Sequence, residues 1–175
     1  MKKILITGGA GYIGSMLSTR LIEKGYQVTV VDLLKYDNKD SLNHLYFNKN
    51  FKFVYGDIRN IGLLKKLVKQ NEFIIPLAAL VGAPLCEKYK KDAISTNLKS
   101  IKDLKRIVTK KNKIIFYQPI QAMELGKKIN TALRKVLSSQ FLYMQEQSVM
   151  QRKKLWDLKI KCVLDLQLFL VAVIE

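Results

Sequence analysis

Short runs rich in apolar residues alternate with stretches of helical spacing over the first 116 residues of this chain. The runs that predict strands lie at residues 4–6, 28–31, 51–55, 73–75 and 113–116. The segments whose apolar residues recur at helical spacing are 16–24, 61–68 and 93–109. Strands that are apolar without alternation are buried on both faces, as in a parallel sheet covered by helices. The pattern therefore predicts an α/β fold, a doubly wound parallel sheet with helices on both faces.

Three glycines follow the first predicted strand. Gly8, Gly11 and Gly14 have the spacing by which a strand-to-helix turn holds a pyrophosphate. The first permits the tight turn, the second lets the backbone approach the phosphates, and the third lets the helix pack close to the strand. The N–H groups and the positive dipole end of that helix then face the anion. Gly25 is predicted to end the helix, because glycine adopts the left-handed conformation found there.

An acidic residue, Asp32, ends the second predicted strand about 20 residues after the glycines. Its carboxylate is placed to accept hydrogen bonds from the ribose hydroxyls of adenosine, which favours NAD over its 2′-phosphorylated form. Small residues within 77–82 leave room for a flat ligand across the carboxyl edge of the sheet. The alternative is an ordinary βαβ turn in which Asp32 caps a helix.

The chain carries a formal charge of +17. Clustered lysine and arginine side chains neutralise phosphates, so the charge invites a nucleic-acid interpretation. The basic residues are spread along the chain, however, and many fall on the polar sides of predicted helices. No recognition helix or zinc finger accompanies them. We expect a weak nonspecific tendency, with no specific nucleic-acid partner.

Several other classes of protein are disfavoured. No stretch reaches the 18 or so continuous apolar residues that cross a bilayer, and we expect neither a membrane partner nor a signal peptide. Cys86 and Cys162 lie far apart, without metal-ligand spacing, and His44 has no partner motif. We therefore expect a cytoplasmic, globular protein without a metal site.

With these pieces in place, residues 1 to about 116 resemble the extended short-chain dehydrogenase/reductase family, the NAD-dependent sugar-nucleotide epimerases and dehydratases. The matching positions are residues 7–14, Asp32, residues 56–58, residues 77–79 and Asn97. The resemblance implies a Rossmann domain over residues 1–116, NAD as the cofactor and a nucleotide sugar as the substrate of intact members. It also allows a homodimer in those members.

The resemblance assigns roles around the cofactor. Tyr12 and Ile13 would lie over the pyrophosphate that the three glycines cradle, and Asp32 would hold the ribose. Asp57 and Ile58 would border the adenine. The residues that would flank the cofactor are Leu77, Ala78, Ala79 and Asn97.

The catalytic residues of the family are missing. Its members use a Tyr-x-x-x-Lys pair, in which the tyrosine exchanges a proton with a sugar hydroxyl and the lysine lowers the pKa of the tyrosine. None of the eight tyrosines here has a lysine four residues later, and Tyr143 is followed by Gln147. The sequence therefore predicts the NAD-binding part of an epimerase or dehydratase, with no catalytic residue. The alternatives are a noncatalytic dinucleotide-binding regulatory module and a basic nucleic-acid-binding protein.

Residues 117–175 form an irregular segment that fits no family pattern. A frameshift is one hypothesis. With codons ending in A or T and AGT for serine, residues 143–148 read one nucleotide earlier give Tyr-Ala-Arg-Thr-Lys, the missing motif. With free choice among synonymous codons, the same shift turns residues 119–124 into Asn-Ser-Gly-Tyr-Gly and residues 164–171 into Arg-Phe-Ala-Thr-Val-Phe-Gly, both typical of the family. The alternative is a diverged C-terminal segment.

Overall fold

The computed structural model describes residues 1–119 and 169–174. The chain divides into two compact units, Met1–Lys113 and Ile114–Glu175. In the described part of the chain, no helix is long and apolar enough to cross a membrane.

A parallel sheet forms the centre of the first unit. Its strands are β1 (Lys3–Thr7), β2 (Gln27–Asp32), β3 (Phe51–Tyr55) and β4 (Phe73–Pro76), in the spatial order β3-β2-β1-β4. Every neighbouring pair is parallel, and Thr7 lies opposite both Val31 and Pro76. Because the chain moves outward from β1 to β3 and then crosses back to β4, right-handed crossovers place the connecting helices on opposite faces. The predicted α/β, Rossmann-like fold is confirmed.

The strands are buried where the apolar pattern is continuous. Residues 4–6 on β1 and residues 73–75 on β4 are all at most 5% exposed. On β2 the side chains of Val28, Val30 and Val31 are at most 1% exposed. The outer strand β3 is only half-covered, as expected for the edge of the sheet. The core therefore lies on the two central strands and β4.

The first connecting helix, α1 (Tyr12–Glu23), ends just before Gly25, the glycine predicted to terminate it. Gly25 has a φ of +81° and donates its N–H to the carbonyl of Ile22 at 2.9 Å. Tyr26 donates to the carbonyl of Leu21 at 3.0 Å. This pair of hydrogen bonds is a Schellman motif, which satisfies the last carbonyls of the helix. A 3-10 helix (Lys39–Leu45) follows β2 and buries Leu42 and Leu45.

The later helices match the predicted periodicity over residues 61–68 and 100–107, whereas the helices between residues 83 and 92 were not predicted. Helix α2 (Ile61–Gln70) is capped by Asn60, whose side chain accepts the N–H of Leu63. Helix α3 (Ala83–Lys88) precedes a longer helical run. That run consists of α4 (Lys90–Ala93), a π-helical turn (Ile94–Lys99) and α5 (Ser100–Ile107). The sequence predicted an uninterrupted helix over 93–109, so the π-helical turn corrects that prediction.

The fifth strand, β5 (Lys113–Pro119), begins as predicted. Lys113 donates its backbone N–H to the carbonyl of Glu72 at 2.8 Å, at the start of β4. In the second unit, β5 pairs antiparallel with β6 (Phe169–Ile174), with Ile114 opposite Ile174. This antiparallel partner was not predicted, because the apolar run that forms it lies in the segment without a family pattern.

Candidate functional site

The turn after β1 packs against the backbone that follows β4. Gly8 has a φ of +70° and donates its N–H to the carbonyl of Val31 at 2.8 Å. A Cβ built on Gly8 would lie 2.5 Å from both the Cα and the backbone nitrogen of Ala78. Glycine tolerates the left-handed backbone and removes the clash. Gly8 thus joins the glycine turn to the segment after β4.

Gly14 and Gly11 have different surroundings. A Cβ on Gly14 would lie 2.5 Å from the Cα of Gly9, so the first turn of α1 rests on the glycine turn itself. A Cβ on Gly11 would meet only the carbonyl oxygen of Gly8, at 3.3 Å. Gly14 therefore allows packing within the protein, whereas the space beside Gly11 lets a ligand approach the backbone.

The first turn of α1 contains no acid of its own. Gly11 is the N-cap, no side chain caps the helix, and its first turn contains no acidic residue. The first N–H groups of a helix lack acceptors within the helix and lie at the positive end of its dipole. The Tyr12 side chain is 82% exposed, and Ile13 is half-buried. This end of the helix can therefore accept an anion such as a diphosphate.

Asp32, at the end of β2, holds the glycine turn through a hydrogen bond that sequence reasoning missed. Its Oδ2 accepts the backbone N–H of Ala10 at 2.9 Å, and its Oδ1 accepts the N–H of Leu34 at 2.8 Å. A carboxylate has about four lone-pair sites, so each oxygen keeps capacity for a further donor. The half-buried carboxylate can therefore position the turn and bind a hydroxyl group at the same time.

The backbone carbonyl of Ala10 is hydrogen-bonded as well. Its carbonyl accepts the side-chain N–H of Asn38 at 2.6 Å and the hydroxyl of Ser41 at 2.8 Å. Both donors lie in the connection between β2 and β3, which the sequence predicts to be polar, with one helical turn near residues 41–46. Together with Asp32 they clamp Ala10, because its N–H and its carbonyl are both hydrogen-bonded to side chains that follow β2.

Asp57, just past β3, pairs with its near neighbour Arg59. The guanidinium Nη2 lies 2.6 Å from the Asp57 Oδ2, and Arg59 Nε donates to both carboxylate oxygens. Hydrogen bonding to Arg59 holds the pKa of the Asp57 carboxyl below its usual value. The same contact raises the pKa of Arg59. Asp57 therefore carries its charge throughout the physiological pH range.

Arg59 extends this pair into a cluster at the carboxyl edge of β2 and β3. Its Nη1 donates to the Asp92 Oδ1 at 3.0 Å and to the Ser95 hydroxyl at 3.3 Å. Lys35, in the loop after β2, lies 3.6 Å from the other oxygen of Asp92. The cluster ties the loops after β2 and β3 to the helical run that begins at α4.

We expect Asp57→Asn to lower the free energy of unfolding by about 1 kcal/mol at neutral pH, since the pair is partly exposed. Because the folded-state pKa of Asp57 is depressed, the contribution is present above the unfolded pKa and disappears as the pH falls through the folded one. Urea denaturation at a series of pH values measures this. Glu23→Gln, which removes the exposed pair with Arg20, is the control and should change stability little. A difference between wild type and Asp57→Asn that persists unchanged into acid would contradict the assignment.

The segment after β4 is tied down at both ends. Leu77 donates its N–H to the carbonyl of Thr7 at 2.9 Å, and Ala78 donates to the Thr7 hydroxyl at 3.4 Å. At the far end of the segment, the Asn97 side chain donates to the backbone carbonyl of Leu80 and accepts the Leu80 N–H, both at 2.8 Å. Ala79 lies exposed between these anchors.

The family model described as NAD dependent epimerase/dehydratase matches residues 4–121 of this chain. The chain belongs to the NAD-dependent epimerase/dehydratase family. The match spans the five predicted strands and the glycine turn, so the resemblance inferred from the motifs is confirmed.

Curated members of the family are about a third identical to this chain over the aligned residues. The UDP-N-acetyl-alpha-D-glucosaminuronate decarboxylase of Bacillus cytotoxicus is 34% identical over 116 residues, which cover 66% of this chain and 36% of that protein. The UDP-glucose 4-epimerase of Rickettsia bellii is 30% identical over 138 residues, covering 72% of this chain and 40% of the relative. This chain thus spans well under half the length of the curated relatives that it matches.

A solved structure supports the same fold. The dTDP-glucose 4,6-dehydratase DesIV of Streptomyces venezuelae, crystallised with NAD bound, superposes with a TM-score of 0.56 at 29% identity. The match covers 60% of this chain and 35% of DesIV.

Within this family fold, the predicted cofactor-binding residues fall into three groups. The three glycines, Tyr12, Ile13 and Asp32 surround the head of α1. Leu77, Ala78 and Ala79 line the segment beside Gly8, and Asn97 is bound to that segment through Leu80. Asp57 and Ile58 follow β3, beside the end of β2, where Gly56 donates its N–H to the Asp32 carbonyl at 3.0 Å. Contact of these residues with a cofactor stays a prediction.

Proposed function

We propose that this chain is the NAD-binding part of a sugar-nucleotide epimerase or dehydratase that acts by transient hydride transfer. The observation that carries the proposal is the hydrogen bond from the Ala10 amide to the Asp32 carboxylate, which sets an acidic group beside an uncapped helix N-terminus. A Cβ at Gly11 would have one near neighbour, the Gly8 carbonyl oxygen at 3.3 Å. These residues fit a dinucleotide, whose diphosphate and adenosine ribose need those two features together.

The hydrogen-bond donors and acceptors of the proposed site indicate which part of NAD each residue would hold. The N–H groups at the head of α1 hold the diphosphate, and the exposed Tyr12 and the half-buried Ile13 lie over it. The free lone pairs of Asp32 accept the ribose hydroxyls, and its charge repels a 2′-phosphate, so NAD is preferred to NADP. When bound, NAD supplies a hydride acceptor for a sugar carbon. Asp57 and Ile58 border the adenine.

We further propose that the chain has no catalytic base of its own. Its eight tyrosines lack a lysine at the fourth following position. Tyr143 and Lys153 lie outside the described residues and receive no role. We therefore propose a nucleotide-sugar substrate for the longer relatives only. This chain binds the cofactor and does not carry out the reaction.

The boundary between residues 116 and 117 forms part of the proposal. Residues 1–116 are the NAD-binding domain, and residues 117–175 are translated out of frame. The family match ends at residue 121, close to this boundary. The nucleotide sequence of the gene decides it: the neighbouring frame must spell the Tyr-Ala-Arg-Thr-Lys motif across residues 143–148, and any other reading refutes the frameshift.

Calorimetric titration of the full chain with NAD tests the function directly. We expect saturable binding of NAD, weaker binding of NADP, and no conversion of UDP-glucose or dTDP-glucose in a coupled assay. Absence of any heat with folded protein refutes the cofactor assignment. Turnover of either sugar nucleotide refutes the claim that the base is missing.

A further inference from the structure

We propose that Asp92, on α4, is a second determinant of the preference for NAD over NADP, because it holds Lys35 and Arg59. These two cations lie in the loops that follow β2 and β3. The inference rests on the proposed function, since it concerns which dinucleotide the proposed site selects. Sequence reasoning assigned that selection to Asp32 alone, and the structure adds an acid from a different element.

Lys35 belongs to the turn that directly follows the proposed ribose acceptor. Leu34 donates its N–H to the Asp32 Oδ1 at 2.8 Å and has a φ of +54°, so the chain turns sharply after β2. Asp37 donates its N–H to the Leu34 carbonyl at 3.3 Å and closes the turn. Lys35 is therefore the cation nearest to Asp32 along the chain.

The ammonium group of Lys35 is engaged by the segment that follows β4. It lies 3.6 Å from the Asp92 Oδ2 and 5.7 Å from the centroid of the Tyr89 ring. A carboxylate and the face of an aromatic ring both attract a cation. The side chains of Lys35 and Asp92 are 45% and 44% exposed, so their attraction is modest and a stronger anion can compete for the lysine.

Arg59 is the second cation that Asp92 holds. Its Nη1 donates to the Asp92 Oδ1 at 3.0 Å, while its Nε and Nη2 are bound to Asp57. Each oxygen of Asp92 thus pairs with one cation. The pKa of Asp57 is lowered mainly by hydrogen bonding to Arg59 and also by the charge of Lys35, so both cations act on the same edge of the sheet.

This arrangement bears on the one group that distinguishes the two dinucleotides. NADP carries a phosphate monoester at the ribose 2′ position, with about two negative charges at neutral pH. Lysine and arginine side chains are the donors that suit such a group. Asp92 opposes it in two ways, because it engages both cations and its own charge repels a second anion. NAD has a hydroxyl at that position and does not need the cations.

The decisive variant is Asp92→Asn, measured by calorimetric titration of the full chain with each dinucleotide. We expect NADP to bind about tenfold more tightly and NAD affinity to stay within about twofold of the wild type. Arg59 remains bound to Asp57, so the loop after β3 keeps its attachment. The gain should shrink at high salt, because exposed charges are screened. Asp92→Ala removes the same charge with a better helix former and keeps the test valid if Asp92→Asn does not fold.

A second substitution identifies the cation. Lys35→Gln alone should change NADP affinity little, since the ammonium group is already engaged by Asp92. In the Asp92→Asn background, Lys35→Gln should remove most of the gain in NADP affinity. A double variant that keeps the full gain refutes the role of Lys35.

Asp103 provides a matched control on the same helical run. It lies on α5, and its carboxylate pairs with Arg106 at 3.5 Å. Asp103→Asn therefore removes the same charge and releases an arginine, as Asp92→Asn does, but about three helical turns further along. We expect the affinities for NAD and NADP to be unchanged.

The outcomes that overturn the inference are distinguishable. Unchanged NADP affinity in Asp92→Asn and Asp92→Ala, with NAD binding intact, refutes it and leaves the proposed function standing. An equal gain in Asp103→Asn shows an effect of net charge alone. Equal tightening of NAD and NADP places the effect on a part that both dinucleotides share. Failure of the folded wild type to bind NAD removes the proposed function, and the inference falls with it.

Discussion

Gly8→Ala is expected to abolish measurable NAD binding and to lower the free energy of unfolding by about 3 kcal/mol or more. The left-handed φ of +70° alone costs a residue with a Cβ roughly 1–2 kcal/mol. The larger effect comes from the Cβ, which would lie 2.5 Å from two backbone atoms of Ala78. Backbone cannot rotate away as a side chain can, so the turn and the segment after β4 must separate. Urea denaturation and calorimetric titration with NAD measure the two losses.

Gly25→Ala separates the two causes. Gly25 has an even larger φ, +81°, but a Cβ there would meet nothing within 4 Å. This variant should therefore show only the conformational cost, roughly 1–2 kcal/mol, with NAD affinity unchanged. If both alanine variants lose the same stability and both still bind NAD, close packing of Gly8 on Ala78 is not what shapes the site.

Asp32→Ala is expected to weaken NAD binding at least about 100-fold. The substitution removes the proposed acceptor of the ribose hydroxyls, and hydrogen bonds to charged groups contribute about 1.5–3 kcal/mol each. It also leaves the N–H groups of Ala10 and Leu34 without their carboxylate acceptor, so the glycine turn loses one of its clamps. Calorimetric titration gives the affinity, and circular dichroism checks that the variant is folded.

Two further variants sharpen the assignment of Asp32. Asp32→Asn removes the charge that repels a 2′-phosphate. We therefore expect the ratio of the affinity for NAD to the affinity for NADP to decrease. Asp40→Asn, at an exposed acid in the 3-10 helix, is the control and should leave both affinities unchanged. If Asp32→Asn binds NAD and NADP in the same ratio as the wild type, the carboxylate does not select the cofactor.

The strands of the first unit could be predicted because a buried parallel strand leaves a local signature. Residues 28–31 and 73–75 are almost wholly apolar, since both faces of their sheet are covered. The end of α1 is equally local, because the left-handed residue at Gly25 follows directly after the helical spacing stops.

The clamp around Ala10 could not be predicted in this way. Asp32 and Ala10 are 22 residues apart, and Asn38 is 28 residues from the same peptide. A polar loop contains many residues able to make such bonds. Only the parallel register of β1 and β2 brings this particular loop over the glycine turn.

The π-helical turn escaped prediction for a related reason. Apolar spacing of three and four residues fits a regular helix and does not reveal one extra residue in a turn. The attachment of Asn97 to Leu80 is a contact between a helix and a segment 17 residues earlier. The geometry of that helix is therefore decided by a partner outside it.

By itself, the sequence determined the strands and several helices of the first unit and the chemistry available at its glycine turn, because periodicity, strand burial and glycine spacing act over a few neighbouring residues. Only the tertiary structure decided which groups hold that chemistry in place: Asp32 on the Ala10 amide, Arg59 on Asp57, and Asn97 on Leu80. The partners of Asp32 and Asn97 are far apart along the chain and meet only after the sheet has formed. Arg59 is close to Asp57 in sequence, but its further contact with Asp92 also depends on the packing of the helical run beside the sheet.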